Sequence, residues 1–280
     1  MKASPQCIPC FLRQTLQAAR FSRLNEDAQK EILREIMKKL LEESWEKTPP
    51  ELAHIAHRVV RKYVGGDPYK EVKRESNALA LSLYPEIKKV VLNSPDPLRT
   101  AVRIAIAGNI IDFGALESFD IHKTVEEVLV KDFKYDDFPR LVDSLKNGKK
   151  ILYFADNAGE IVFDKLLLQI IRERWKPQIT LVVKEAPIIN DATLEDAKYV
   201  GMDEVVDDYK FIGNGEVGLE RNSPEVGKWI KEHDVIISKG QGNFEGLSEF
   251  RGIFYLLMVK CPAVANYLNA SVGDIVLLYR

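Results

Sequence analysis

Three short stretches of this sequence place oxygen-rich side chains directly after apolar runs. Ile151 to Phe154 lead into Asp156 and Asn157, within FADNAGEIVFD. Leu181 to Val183 lead through Lys184 toward Asn190 and Asp191, within LVVKEAPIINDAT. Val235 to Ile237 lead into Lys239, Gly240, Asn243 and Glu245, within VIISKGQGNFEG. Asp156, Asn157 and Asp191 together offer two carboxylates and an amide carbonyl, hard donors that suit Mg²⁺ or Mn²⁺ rather than zinc. Three protein ligands leave open positions for water and for a substrate phosphate. Lys239 then fits as a cation for phosphate oxygens, with the amides of Gly240 and Gly242 able to approach closely. The same residues have ordinary uses too. Asp156 and Asn157 could cap a helix starting near Gly159, Glu160 could complement its dipole, and Asp191 could be a turn residue. Thr193 and Asp196 already form a capping box, which leaves Asp191 without work as a cap.

The elements that must carry these residues change character along the chain. Residues 6 to about 148 have helical rhythm, with apolar residues at three- and four-residue spacing over 9–22, 25–46, 51–63, 68–84 and 97–108, and a further helix over 123–131. From Lys149 strand candidates at 150–155, 179–184, 204–207, 234–238, 263–267 and 274–279 alternate with helical stretches at 159–174, 193–200, 224–232 and 246–258. Such alternation predicts a mostly parallel sheet covered on both faces, with the last strand antiparallel. The expected fold is α/β: a helical domain over 1–148 packed on a three-layer domain over 149–280. Ligands of such sheets bind outside the carboxyl ends of the strands, where the three polar stretches fall.

Composition narrows the function. The chain has 280 residues and a formal net charge of −2, so no basic field points to nucleic acid. No apolar run approaches the ~20 residues of a membrane span. The start, MKASPQCIPCFLRQ, lacks the apolar core of a secretory signal, and a soluble cytoplasmic protein is expected. Three cysteines exclude a fully paired disulfide framework within one chain.

The motifs DNAGEIVFD, PIINDAT and SKGQGNFEG resemble the metal-dependent damage-control phosphatase family, also called domain of unknown function 89. CIPC near the start, DPYKEVKRESNALAL at 67–81 and GNIIDFG at 108–114 extend the resemblance over nearly the whole chain, in the short prokaryotic form that begins with CxxC. The resemblance implies a helical domain packed on a Rossmann-like domain. It implies a divalent metal (Mn, Mg, Co or Ni) held by Asp156, Asn157 and Asp191, with hydrolysis of small phosphorylated metabolites, including sugar phosphates. It also implies that Lys239 binds phosphate, that Gly240, Asn243 and Glu245 lie near the substrate, and that Asn109 and Asp112 line the site from the helical domain. Glu160, Asp164 and Glu245 are candidates for a general base. The physiological substrate, the native metal and the oligomeric state are left open.

Other motifs point elsewhere. Cys7 and Cys10 could join His54 and His57 in a Cys₂His₂ zinc set, or pair as a disulfide; two helix-start thiols without catalytic role are the expectation. Asp67, Lys73 and Asn77 are expected either on a surface helix or facing the cleft. Two competing functions are an S-adenosylmethionine-dependent methyltransferase or other nucleotide-dependent enzyme, and a non-catalytic binding module. A D-N-A-G-E turn in place of G-x-G-x-x-G disfavours direct dinucleotide binding, because its carboxylate repels a pyrophosphate.

Overall fold

The computed structural model describes residues 1–108, 129–213 and 223–280. Five helices open the chain: α1 (Cys7–Phe21), α2 (Glu26–Glu42), α3 (Pro49–Val64), α4 (Lys70–Leu92) and α5 (Pro97–Ala107). They fall into two groups. Ile32, Ile36, Leu52 and Val60 bind α1 to α3 through a core of their own. Val91, Leu98, Ile104 and Ile106 of α4 and α5 instead share a core with the sheet.

The second half begins with β1 (Phe133–Asp136) and α6 (Phe138–Asn147), then β2 (Lys150–Phe154), α7 (Glu160–Trp175), β3 (Gln178–Lys184), α8 (Leu194–Tyr199) and β4 (Asp208–Ile212). It continues with α9 (Pro224–Glu232), β5 (Val235–Lys239), α10 (Gln241–Leu247), β6 (Ile253–Met258), α11 (Pro262–Leu268) and β7 (Ile275–Tyr279). The seven strands lie in the order β1-β7-β6-β5-β2-β3-β4. Every pairing is parallel except β6 with β7. β2 pairs with β3 on one side and β5 on the other, so the strand order reverses between β2 and β5. That reversal opens a crevice at the carboxyl ends of these two strands. α7 is buried on nearly all sides because the sheet covers one face while α4 and α5 cover the other.

The mostly parallel sheet and the antiparallel last strand agree with the sequence reading. Four assignments differ. FKYD at 133–136 forms a short strand with only half-buried and exposed residues, too weak a pattern to stand out from the helical rhythm around it. The stretch 246–258 is a helix that ends at Leu247 followed by β6, whose contiguous apolar run has no period to tell strand from helix. Residues 263–267 belong to helix α11, which Pro262 opens in its first turn. The strand expected at 204–207 lies at Asp208–Ile212, since Val205 and Val206 are buried in a loop instead. Asn109, Asp112 and most of the expected helix over 123–131 lie outside the described residues.

Candidate metal centre and cavity

The loop after β3 folds back onto the turn after β2. Ala192 donates its N–H to the Asp156 carbonyl at 2.8 Å, and Ala158 donates to the Asn190 carbonyl at 2.9 Å. These bonds set Asn157 and Asp191 opposite one another in an isolated antiparallel bridge. Residues 34 positions apart in the chain are thereby brought to one point. The reversal is tight enough to hold Ile189 at φ 47°, a left-handed conformation that a β-branched residue seldom adopts.

Asp156 rests against the third stretch. Gly240, with φ 79°, follows β5, and a Cβ there would come within 1.9 Å of Asp156 Oδ2. Only glycine leaves room for the carboxylate. The Asn157 amide is oriented by its neighbours: its Nδ2 donates to Asp156 Oδ2 at 3.0 Å and to Glu160 Oε1 at 2.8 Å. With the nitrogen committed to two acids, the carbonyl oxygen is the atom left for a cation.

The charges here are crowded. Burial raises Asp156 well above the usual carboxylate range, and Glu160 and Asp191 push it further, against a smaller pull from Lys260 and Lys239. Burial likewise raises Glu160, opposed by Lys239 and Lys260. Asp191 is raised by burial and held back by Lys184, whose ammonium lies 3.5 Å from Asp191 Oδ2. Three acids driven toward protonation by their surroundings are what a hard dication would relieve, and two carboxylates with an amide oxygen are a fitting donor set. Among the described residues no three histidines, cysteines, aspartates or glutamates are arranged to hold a metal by themselves; a set built on Asp156 and Asp191 would take its third donor from the Asn157 amide. The Cys₂His₂ set is therefore not assembled. His57 is buried, and burial lowers its pKa to about 4.

A cavity of about 590 Å³ opens over the centre. Asp156, Asn157 and Asp191 line its floor together with Lys184, Glu245 and Lys260, while Cys7, Cys10 and Arg13 of α1 form part of the facing wall. Burial pushes Glu245 up to about 7, against a hydrogen bond from Gln241.

Several residues expected beside the substrate are placed differently. Lys239 does not line this cavity; it is 1% exposed and donates to Asp164 Oδ1 at 2.7 Å and to the Ala105 carbonyl at 2.6 Å. The N–H of Gly240 is taken by the Leu256 carbonyl. Asn243 is buried, its Nδ2 bonded to the carbonyls of Ala155 and Lys239, so it braces the loop after β5. Lys73 and Asn77 are buried where α4 meets α8, with Asp67 half-buried beside them, and none of the three lines this cavity. Lys260 went unnoticed in the sequence because β6 was read as helix, which hid that it follows a strand end.

The whole chain can now be set beside known proteins. The model of the damage-control phosphatase ARMT1-like domain matches residues 3–276. The chain belongs to this family. A damage-control phosphatase of Archaeoglobus fulgidus is 37% identical over 99% of this chain and 98% of its own length. A damage-control phosphatase of Pyrococcus horikoshii is 35% identical over 99% and 97%. The crystal structure of a DUF89 family protein from Pyrococcus horikoshii superposes with a TM-score of 0.89 at 32% identity, covering 100% of this chain and 99% of that one. Among the described residues no helix is long and apolar enough to cross a membrane.

Proposed function

We infer that this chain is a metal-dependent phosphatase acting on small phosphorylated metabolites, with its divalent metal held by Asp156, Asn157 and Asp191. The observation that carries this reading is the loop after β3 lying on the turn after β2, which sets Asp191 against Asn157. Full-length similarity to damage-control phosphatases supports it. When bound, the metal supplies a Lewis acid that offsets charge on the phosphoryl oxygens. Manganese, magnesium, cobalt and nickel all suit such oxygen donors.

The chain's own residues have separable duties. Lys184 and Lys260 face the cavity and are the cations that a phosphate there meets first. Lys239 is the buried counter-charge: burial lowers its pKa, but Asp164 and Glu160 more than reverse this and keep it an ammonium. Two of its three N–H groups are already committed, so it acts on the reaction chiefly through the field it casts on Asp156 and Glu160. Glu245 lines the cavity and titrates near 7, where a group that takes a proton from attacking water works best. The cavity volume lies within the range of metabolite sites, sugar phosphates included. The reading places the enzyme in the cytoplasm.

The direct test is release of inorganic phosphate from a panel of phosphometabolites with Mg²⁺, Mn²⁺, Co²⁺ and Ni²⁺, each against a chelated control. Metal-dependent release from at least one sugar phosphate is expected. A folded protein releasing none with any metal would remove the reading.

A further inference from the structure

The motif DPYKEVKRESNALAL leaves one feature that the cavity does not use. Lys73 and Asn77 stand four residues apart on α4, hence on one face, and both are buried. The Asn77 side chain has two ends and each meets a different loop. Its Oδ1 accepts the N–H of Gly159 at 2.7 Å, and its Nδ2 donates to Asp196 Oδ1 at 2.9 Å. Gly159 lies two residues beyond Asn157, with φ 81° at the start of α7. Asp196 lies five residues beyond Asp191, and its Oδ2 accepts from the N–H and hydroxyl of Thr193. Lys73 binds the same Oδ2 at 3.0 Å while holding Asp67 at 2.9 Å. One amide thus spans the two loops that carry the three proposed metal ligands.

We propose that Asn77 is a positioning residue that fixes the separation between the Asp156–Asn157 pair and Asp191, with Lys73 anchoring the Asp196 end. This rests on the metal-site reading above. The physical grounds are specific. The Gly159 N–H is buried and has a partner 82 residues earlier in the chain, and neither Gly159 nor Asn77 is among the cavity-lining residues. On the cavity side the two loops are joined through backbone bonds from Ala158 and Ala192. Asn77 closes the same joint from behind, so α4 sets the ligand spacing without touching the metal. A displacement of an ångström between ligands is costly at a metal centre, and groups that orient ligands commonly change metal affinity 10–100-fold.

The test compares the full-length wild type with Asn77→Ala, Asn77→Asp and Val226→Ala, the last trimming the core on the other face of the sheet, which includes no residue of these two loops, as a control for lost stability alone. Amide hydrogen exchange is measured on metal-free protein, and Mn²⁺ is titrated calorimetrically into each. In Asn77→Ala, exchange at Ala158 and Ala192 should quicken by about tenfold or more, and Mn²⁺ affinity should fall by about the same factor. Asn77→Asp keeps an acceptor for Gly159 but loses the donor to Asp196, so it should fall between and serve if the alanine variant does not fold. Val226→Ala should leave both readouts at these loops unchanged. Unaltered exchange at Ala158 and Ala192 in both Asn77 variants would overturn the proposal, as would an equal loss of Mn²⁺ affinity in Val226→Ala. Equal Mn²⁺ binding by wild type and Asp156→Asn would instead overturn the metal-site reading, and exchange alone would then decide for or against the strut.

Discussion

Two groups of acids meet the same pair of loops, one away from the cavity lining and one largely on it, and they are built on opposite principles. Behind the loops, Asp67 and Asp196 share Lys73, and Asn77 takes the remaining oxygen of Asp196, so each acid has a close charged or amide partner. In front, Asp156, Glu160 and Asp191 crowd together: one Asn157 amide is shared between Asp156 and Glu160, Lys184 lies 3.5 Å from Asp191, and burial raises all three above the usual range. The first group is satisfied by the chain itself and holds the frame. The second keeps an excess of negative charge beside a cavity that Asp156 and Asp191 line, a cost that a bound dication would relieve.

The comparison breaks most severely if the buried counter-charge is removed. Lys239→Ala leaves Asp164, which is fully buried, without its cation, and breaking a buried pair costs about 3–5 kcal/mol. The sequence alone points to a role for Lys239 in binding phosphate; its burial against Asp164 moves the expected loss to stability. Chemical denaturation should show it, and adding Asp164→Asn should recover a large part. If Lys239→Ala unfolds at the wild-type midpoint, the pair is not the counter-charge described here.

His57 sharpens the contrast by showing how the fold treats a buried base: burial, with the Arg61 guanidinium adding to it, keeps the imidazole neutral. Its folded pKa of about 4 lies below the unfolded value of about 6.5. The unfolded chain therefore binds more protons between these values, and stability rises with pH across them. This contribution is fully present above about 6.5 and is lost as pH falls through 4, on the order of 3 kcal/mol in all. His57→Leu should flatten that part of the stability–pH curve. An unchanged slope would mean another group supplies it.

The smallest effect is expected at the cavity wall facing the acids. Cys7→Ser with Cys10→Ser should leave turnover within about threefold of wild type and cost roughly 1 kcal/mol, since a hydroxyl replaces a thiol at the buried Cys7 position. A double variant that folds and binds metal but does not turn over would give the thiols a part in the chemistry.

Much of this was legible beforehand, for identifiable reasons. The strand from Ile151 to Phe154 and the turn after it stand out because an apolar run ends abruptly in Asp156 and Asn157. The capping box of Thr193 and Asp196 freed Asp191 for another task, and the box is present. What was hidden depended on three-dimensional contact. Gly240 looked like a phosphate-binding glycine, whereas its missing Cβ makes room for Asp156. Lys239 looked like a phosphate-binding cation because it ends a strand beside glycines, and only the packing of α5 and α7 reveals that it ends at Ala105 and Asp164. Residues 246–258 hid their boundary at Gly252, whose φ of 84° separates helix from strand; with it went the meaning of Lys260. No spacing in the sequence could show that Asn77 reaches both loops.

The account stands most directly on calorimetric titration of Mn²⁺ into the wild type and Asp156→Asn, with phosphate release measured on the same samples. The substitution removes one negative charge with hardly any change of volume, so the metal-free melting temperature should stay level or rise as crowding is relieved. Metal affinity and turnover should both fall, by on the order of a hundredfold or more. Full metal-dependent phosphatase activity in Asp156→Asn would contradict the assignment of this turn as the metal centre.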